Sequence, residues 1–269
     1  PAAERRKIKS AQAQALDQIG ILEQGKATSG SDFYSYRYLA TEGFLPGYNF
    51  PRLPLYAFVP GEGKSGAYLQ RARFLAISEF GPRSLIYHEG RAYRVTKAKL
   101  PPELREGDGA DLAARDVFVC SNCGASHEGE PERCHACNNP MAGHIPIERT
   151  LRIDNVEAAP AERITANDEE RVRQGFEVRT VFSWPRRDGQ IEITEADFRV
   201  GETPMLTLQY ANGAEISRMN LGLKRRKEKS INGFWIDPRS GYWSKADDEG
   251  DEVEAPPDFT RPVRIVPIV

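Results

Sequence analysis

The chain is poor in the residues that most chemistry uses. Its 269 residues include four histidines, four cysteines, three tryptophans and three methionines. No His-Glu-x-x-His motif occurs, which excludes a zincin-type protease site, and no Gly-x-Ser-x-Gly elbow occurs, which excludes an α/β-hydrolase nucleophile. With so few histidines no acid–base constellation stands out, so an independent enzyme has little support. No apolar run approaches the ~20 residues of a membrane-spanning helix. No stretch has the form of a secretory leader, and a cytoplasmic setting without membrane contact is the expectation. An excess of one charge is also missing. The net charge is −2, too small for a global field that would gather nucleic acid.

One near-motif fails on inspection. Gly61-Glu-Gly63-Lys64-Ser65 suggests a phosphate loop, but that motif needs a glycine where Phe58 stands. No buried parallel strand precedes it, and no acidic magnesium motif accompanies it. The segment reads as a surface turn.

What is present is a pattern in the four cysteines. They fall into two pairs of identical spacing, Cys120-Ser-Asn-Cys123 and Cys134-His-Ala-Cys137. Each Cys-x-x-Cys turn can aim two thiolates at one ion, and two such turns complete a tetrahedral shell. Gly124 and Asn138 follow the pairs, where a left-handed backbone is often required. A structural zinc ribbon ligated by Cys120, Cys123, Cys134 and Cys137 is the expectation. Two disulfides would suit a secreted chain, and a thioredoxin-like site would leave one pair unused. Iron in a rubredoxin-like site remains open on spacing alone. Four thiolates leave no open coordination position, so the metal should not be catalytic. His127 and His135 are expected to be bystanders or to support the ligands.

Charge is segregated along the chain. Residues 1–110 carry 16 basic and 11 acidic groups, and residues 111–170 carry 5 and 12. Residues 171–245 carry 14 and 9, and residues 246–269 carry 2 and 7. The densest basic run is Lys224-Arg225-Arg226-Lys227-Glu228-Lys229, a candidate for phosphate contacts on DNA. The competing reading is a solvated turn. Arg186 and Arg187 form a weaker candidate. Glu128, Glu130, Glu132 and Asp116 make the ribbon acidic, which favours a scaffold or protein contact there over a grip on phosphate.

The periodicities suggest an α+β fold. Residues 4–24 read as an amphipathic helix with Ile8, Ala15, Ile19 and Leu22 on one face. A short helix is expected after Ser31 or Asp32, then an aromatic-pinned loop over 43–60. The aromatics at 33–50 are more suited to packing than to stacking on bases. Beta structure should dominate beyond it. Arg73–Phe80 reads as part of this β region. Ser84–Tyr87 and Ala92–Thr96 read as a hairpin with Gly90 in its turn. A helix is expected over 160–174, and strands over 176–184, 190–194, 205–211 and 214–221. The acidic stretch 247–254 reads as a solvated loop. The expected divisions are an N-terminal helix (1–30), an aromatic-rich α+β part (31–115), the zinc ribbon (116–145) and a β-rich part (146–269). The β structure should be mostly antiparallel.

Several segments together resemble a known family. They are Tyr36-Arg-Tyr-Leu-Ala-Thr-Glu-Gly-Phe-Leu-Pro-Gly-Tyr-Asn-Phe-Pro51, Ala76-Ile-Ser-Glu-Phe-Gly-Pro82 and Ile86-Tyr-His-Glu-Gly-Arg-Ala-Tyr93, followed by the paired cysteines. In this order they resemble the region downstream of the motor in large superfamily 2 helicases. The family is that of the mitomycin-repair helicase and of the helicase components of DISARM phage-defence systems. The resemblance implies a non-motor accessory region of an ATP-dependent DNA helicase, active in phage defence or DNA repair. Its partners would be DNA, motor domains outside these residues and a protein of the defence or repair complex. The chain would then be a fragment, in keeping with its start at Pro1 and its apolar end at Val269. The family often carries a second Gly-Phe-x-x-Cys-x-x-Cys-Gly knuckle. Here Gly233-Phe234-Trp-Ile-Asp237-Pro-Arg-Ser240-Gly241 has that frame with Asp237 and Ser240 in place of cysteines, so a zinc-free turn held by aromatics is expected. The alternative function is a zinc-stabilised protein-interaction scaffold that does not contact nucleic acid.

Overall fold

The computed structural model describes residues 54–61, 66–100, 105–106, 111–161, 175–187, 190–191, 193–211, 213–245 and 261–269. The helices expected over 4–24, after 31 and over 160–174 lie outside these residues or almost so. The acidic stretch 247–254 and residues 43–53 of the expected 43–60 loop also lie outside them. The described end of that loop, Leu55–Val59, is a buried strand, which corrects the loop expectation there.

Strand β1 (Leu55–Val59) returns as β2 (Ala67–Arg71) in an antiparallel hairpin. β1 is buried and pairs in parallel with residues 155–157, so the expectation that no buried parallel strand precedes Gly61 is corrected. The phosphate-loop reading still fails, because that motif joins a strand to a helix and here β1 is followed by its antiparallel partner β2. Helix α1 (Arg73–Glu79) follows, then the hairpin β3 (Leu85–His88) and β4 (Arg91–Lys99). The short pair β5 (Arg105–Glu106) and β6 (Asp111–Leu112) leads to β7 (Arg115–Val119) and β8 (Ser126–Glu128). Next come β9 (Ile147–Arg152), β10 (Asn155–Pro160) and β11 (Phe176–Ser183). The short pair β12 (Arg186–Arg187) and β13 (Gln190–Ile191) precedes a long hairpin, β14 (Thr194–Val200) and β15 (Thr203–Tyr210). Strands β16 (Glu215–Leu223), β17 (Phe234–Ile236) and β18 (Val263–Ile268) complete the set.

The fold is mostly β and mostly antiparallel. One sheet has the order β2-β1-β10-β4-β3, and the other runs β11-β16-β18-β9-β7-β8 with β17 added alongside β18. Among the strands described, β1–β10 and β9–β18 pair in parallel and the rest pair antiparallel. The chain crosses between the sheets at Ile153 and Asp154, so β9 belongs to one sheet and β10 to the other. A shared core joins them, with Leu55, Val95, Val156, Phe234, Ile236 and Ile265 among its buried members.

The second sheet curls until its ends meet. Ala125, beside β8, bridges to Phe182 of β11, and the Ser126 hydroxyl donates to the Phe182 carbonyl at 3.0 Å. The curl encloses a small core of Val117, Ile147, Val181, Met219, Leu221 and Val266, drawn from five strands. The sheet is therefore a nearly closed barrel whose seam lies at the first cysteine pair.

Arg73–Phe80 departs from the β expectation. Its first seven residues form α1, with Ala76, Ile77 and Phe80 buried at helical spacing. Arg71 pairs with Glu79 at 2.7 Å and Arg73 with Asp154 at 2.8 Å, fixing the helix to the first sheet. A run this short carries too little periodicity to separate the two states. The hairpin expected nearby is present and one step tighter. His88 pairs with Arg91, leaving Glu89 and Gly90 as a two-residue turn with φ of 48° and 73°, the left-handed pair of a type I′ turn. The strand expected over 205–211 is β15, and it pairs with β14.

A candidate metal centre and a basic turn

Two turns of the same shape carry the cysteines. In the first, the Cys120 N–H donates to the Ala125 carbonyl at 2.9 Å and the Gly124 N–H donates back to the Cys120 carbonyl at 2.9 Å. In the second, the Cys134 N–H donates to Asn139 and the Asn138 N–H to Cys134, both at 2.8 Å. Gly124 and Asn138 have φ of 81° and 58°, so the residue after each pair does adopt the left-handed backbone. These tight loops tip both thiols of a pair to one side.

The four sulfurs converge. All lie within 4.8 Å of one another, and no other group of three or more potential ligands does so among the described residues. Cys120 and Cys137 are 3.7 Å apart and Cys123 and Cys134 are 3.6 Å apart, so the close pairs run between the turns. All four thiols are free. A tetrahedron with metal–sulfur bonds of about 2.3 Å has edges of about 3.8 Å, and the observed separations fit that cage. The four cysteines can therefore hold one metal ion with no position left for substrate.

Electrostatics within the site are uneven. A hydrogen bond from the Asn122 side chain and another from the Asn139 N–H bring the Cys137 thiol down to about 6, against the effect of burial. Burial pushes the Cys123 and Cys134 thiols up. A cation would offset that burial and deprotonate all four. Buried Met141 and partly buried Phe118 and Phe182 pack against the cluster.

His127 and His135 meet each other and not the metal cage. Their Nδ1 atoms lie 3.2 Å apart, one donating and one accepting, with the rings edge to face. Burial lowers both, and the nearby Arg186 charge adds to this. Arg186 is exposed beside this pair, and Arg187 pairs through its backbone with Gln190.

The Asp237–Gly241 segment forms a third turn of the same design. The Asp237 N–H donates to Tyr242 at 3.0 Å, the Gly241 N–H to Asp237 at 2.8 Å, and Gly241 has φ 77°. Where cysteines would meet a metal, the Ser240 hydroxyl donates to the Asp237 carboxylate at 2.5 Å and the Arg239 N–H donates to it at 3.0 Å. Phe234 and Trp243 are buried beneath the turn, Trp235 is partly buried and Tyr242 is exposed. Backbone bonds from Ala98 to Gly241 and from Trp243 to Thr96 dock the turn on β4.

The basic run occupies the turn after β16, and its members are not equivalent. Lys224, Arg225, Lys227 and Lys229 are exposed, whereas Arg226 is 7% exposed. Arg226 donates to the Glu177 carboxylate at 2.8 Å, to the carbonyls of Leu223, Lys229 and Ile231, and to the Asn232 side chain. It is the internal pin of the turn and has no donor left for a phosphate. The expectation that Arg226 reaches DNA is corrected on that ground. The Lys229 ammonium folds back on the Lys224 carbonyl. Sequence reasoning missed this division because a run of cations gives no sign of which one turns inward.

No known protein family, no curated protein and no solved structure matches this chain. Among the described residues no helix is long and apolar enough to cross a membrane.

Proposed function

We propose that this chain is a non-motor accessory region of an ATP-dependent DNA helicase of phage defence or DNA repair, which scaffolds the motor and guides a DNA strand. The observation that carries the DNA part is the turn built around Arg226. A buried, fully bonded arginine makes a rigid base from which Lys224, Arg225 and Lys227 face solvent. A fixed cluster of cations binds phosphate with little ordering cost, and it reads charge and not sequence. The order of the three segments that resemble the helicase family supports the rest.

In this reading the cysteine cage holds a structural Zn2+, whose chemistry is to neutralise four thiolates and lock two turns together. Its acidic surroundings, with Glu128, Glu130 and Glu132 exposed, favour a DNA path away from the ribbon. The test is affinity of the zinc-loaded chain for single-stranded DNA at several salt concentrations. Replacing Lys224, Arg225 and Lys227 with Ala should weaken all sequences alike and flatten the salt slope by up to roughly three units. Equal affinities and slopes would leave the scaffold without DNA contact as the better account.

A further inference from the structure

The hairpin β14–β15 stands apart from both cores. Every residue from Thr194 to Val200 and from Thr203 to Tyr210 is exposed, and its extensive contacts are between its own two strands. Its register sorts the side chains on either side of a bulge between Phe198 and Arg199, because cross-strand partners share a face. One face carries Glu195 opposite Gln209 and Asp197 opposite Thr207. These groups bond one another, Gln209 to Glu195 at 2.6 Å, Thr207 to Asp197 at 2.8 Å and Arg199 to Asp197 at 3.1 Å. That face is complete and suited to water. The other carries Phe198 opposite Leu206 and Ala196 opposite Leu208, with Val200 and Tyr210 at its ends. Phe198 is 62% exposed, Leu208 60% and Tyr210 68%.

An isolated two-stranded hairpin is marginal in water, and it gains stability only when its apolar face is covered. This face presents on the order of 500 Å2 of apolar surface, the size of the largest patch on a typical monomer, which is often functional. It is also self-complementary in chemistry, since its charges lie on the opposite face. We propose that β14–β15 is a self-association surface, covered by the same hairpin of a second copy of this chain. Two such faces related by a two-fold axis pack as a four-stranded, two-layer sandwich. The contact buries on the order of 1,000 Å2 in total, the lower bound for a specific interface, so a weak, reversible association is expected.

The test is sedimentation of the full zinc-loaded chain from low to high micromolar concentration. The wild type should pass from monomer to dimer, and Leu208→Glu or Phe198→Glu should weaken association at least tenfold. Thr207→Ala, on the opposite face, should leave it unchanged. The substituted side chains are exposed, so metal content and near-ultraviolet circular dichroism should match the wild type. A wild type that stays monomeric throughout would overturn the proposal, as would a dimer indifferent to both apolar-face variants. Amide protection of residues 194–210 that is already complete in the monomer would also overturn it, since the chain's own residues would then cover the face.

Discussion

Asp237 holds Gly241 as Cys120 holds Gly124. In both turns the residue four positions on donates its N–H to the first residue's carbonyl, at 2.8 and 2.9 Å. In both, the first residue's N–H reaches the carbonyl five positions on, at 3.0 Å to Tyr242 and 2.9 Å to Ala125. The backbone of a metal knuckle thus recurs with a carboxylate and a hydroxyl in the ligand positions. Hydrogen bonds can hold this loop shape, and a metal is needed only where two loops must be joined.

The third turn should therefore be sensitive at its glycine. A Cβ on Gly241 would lie 2.1 Å from the Ala98 carbonyl oxygen, and its φ of 77° disfavours any side chain. Gly241→Ala should cost more than about 2 kcal/mol in urea unfolding, because both backbone strain and the contact with β4 act against it. Ser240→Ala, which removes one hydrogen bond, should cost about 1 kcal/mol. Equal effects of the two substitutions would refute the docking role given to Gly241.

Metal removal should act on the barrel seam before the barrel core. The purified chain should carry about one zinc per molecule by elemental analysis. Chelation should speed amide exchange over residues 118–141 and also around Phe182, which joins the ribbon through Ala125 and Ser126. Exchange in β4 and β10 should be unaffected. Cys134→Ala should reproduce the pattern without chelator. A metal-free preparation with unchanged protection at the seam would rule out the clasp role.

Within the basic run, stability and binding should separate by residue. Arg226→Ala leaves the Glu177 carboxylate and several carbonyls without their donor, and it should cost about 2–4 kcal/mol. Lys224→Ala, Arg225→Ala and Lys227→Ala should each lie within about 0.5 kcal/mol of wild type, as surface changes do. Denaturant midpoints measure both. A harmless Arg226→Ala would show that the turn does not depend on its pin.

These divisions show which parts were legible in the sequence. The cysteine cage was, because ligand spacing and the residues after each pair are local chemistry. The β3–β4 and β11 strands were, because alternation and a Gly-containing turn are local too. Helix α1 was not, since the burial of Ala76, Ile77 and Phe80 depends on the sheets it packs on. The inward course of Arg226 was hidden for the same reason, as its partners Glu177, Ile231 and Asn232 are set by tertiary structure. The ribbon's setting is tertiary too: β7 pairs with β9, and Ala125 after the first cysteine pair touches β11, so the ribbon is a wall of the barrel.

The β3–β4 turn offers a stabilising change. Glu89 has φ of 48° and Gly90 of 73°, and the type I′ turn that these angles define prefers Asn-Gly. A glutamate side chain in the left-handed region is uncommon, whereas asparagine tolerates it through local bonding to the backbone. The present Glu89 carboxylate lies 3.9 Å from His88 Nε2 and is 84% exposed, so its loss should matter little. Glu89→Asn should therefore stabilise the chain by about 0.5–1 kcal/mol, read as a rise in the thermal midpoint with the metal site saturated. Gly90→Ala should do the reverse, although no atom lies near its would-be Cβ, because the cost is conformational and not steric crowding by neighbours. If Glu89→Asn were destabilising, or Gly90→Ala neutral, the turn in solution would not be the left-handed pair described here.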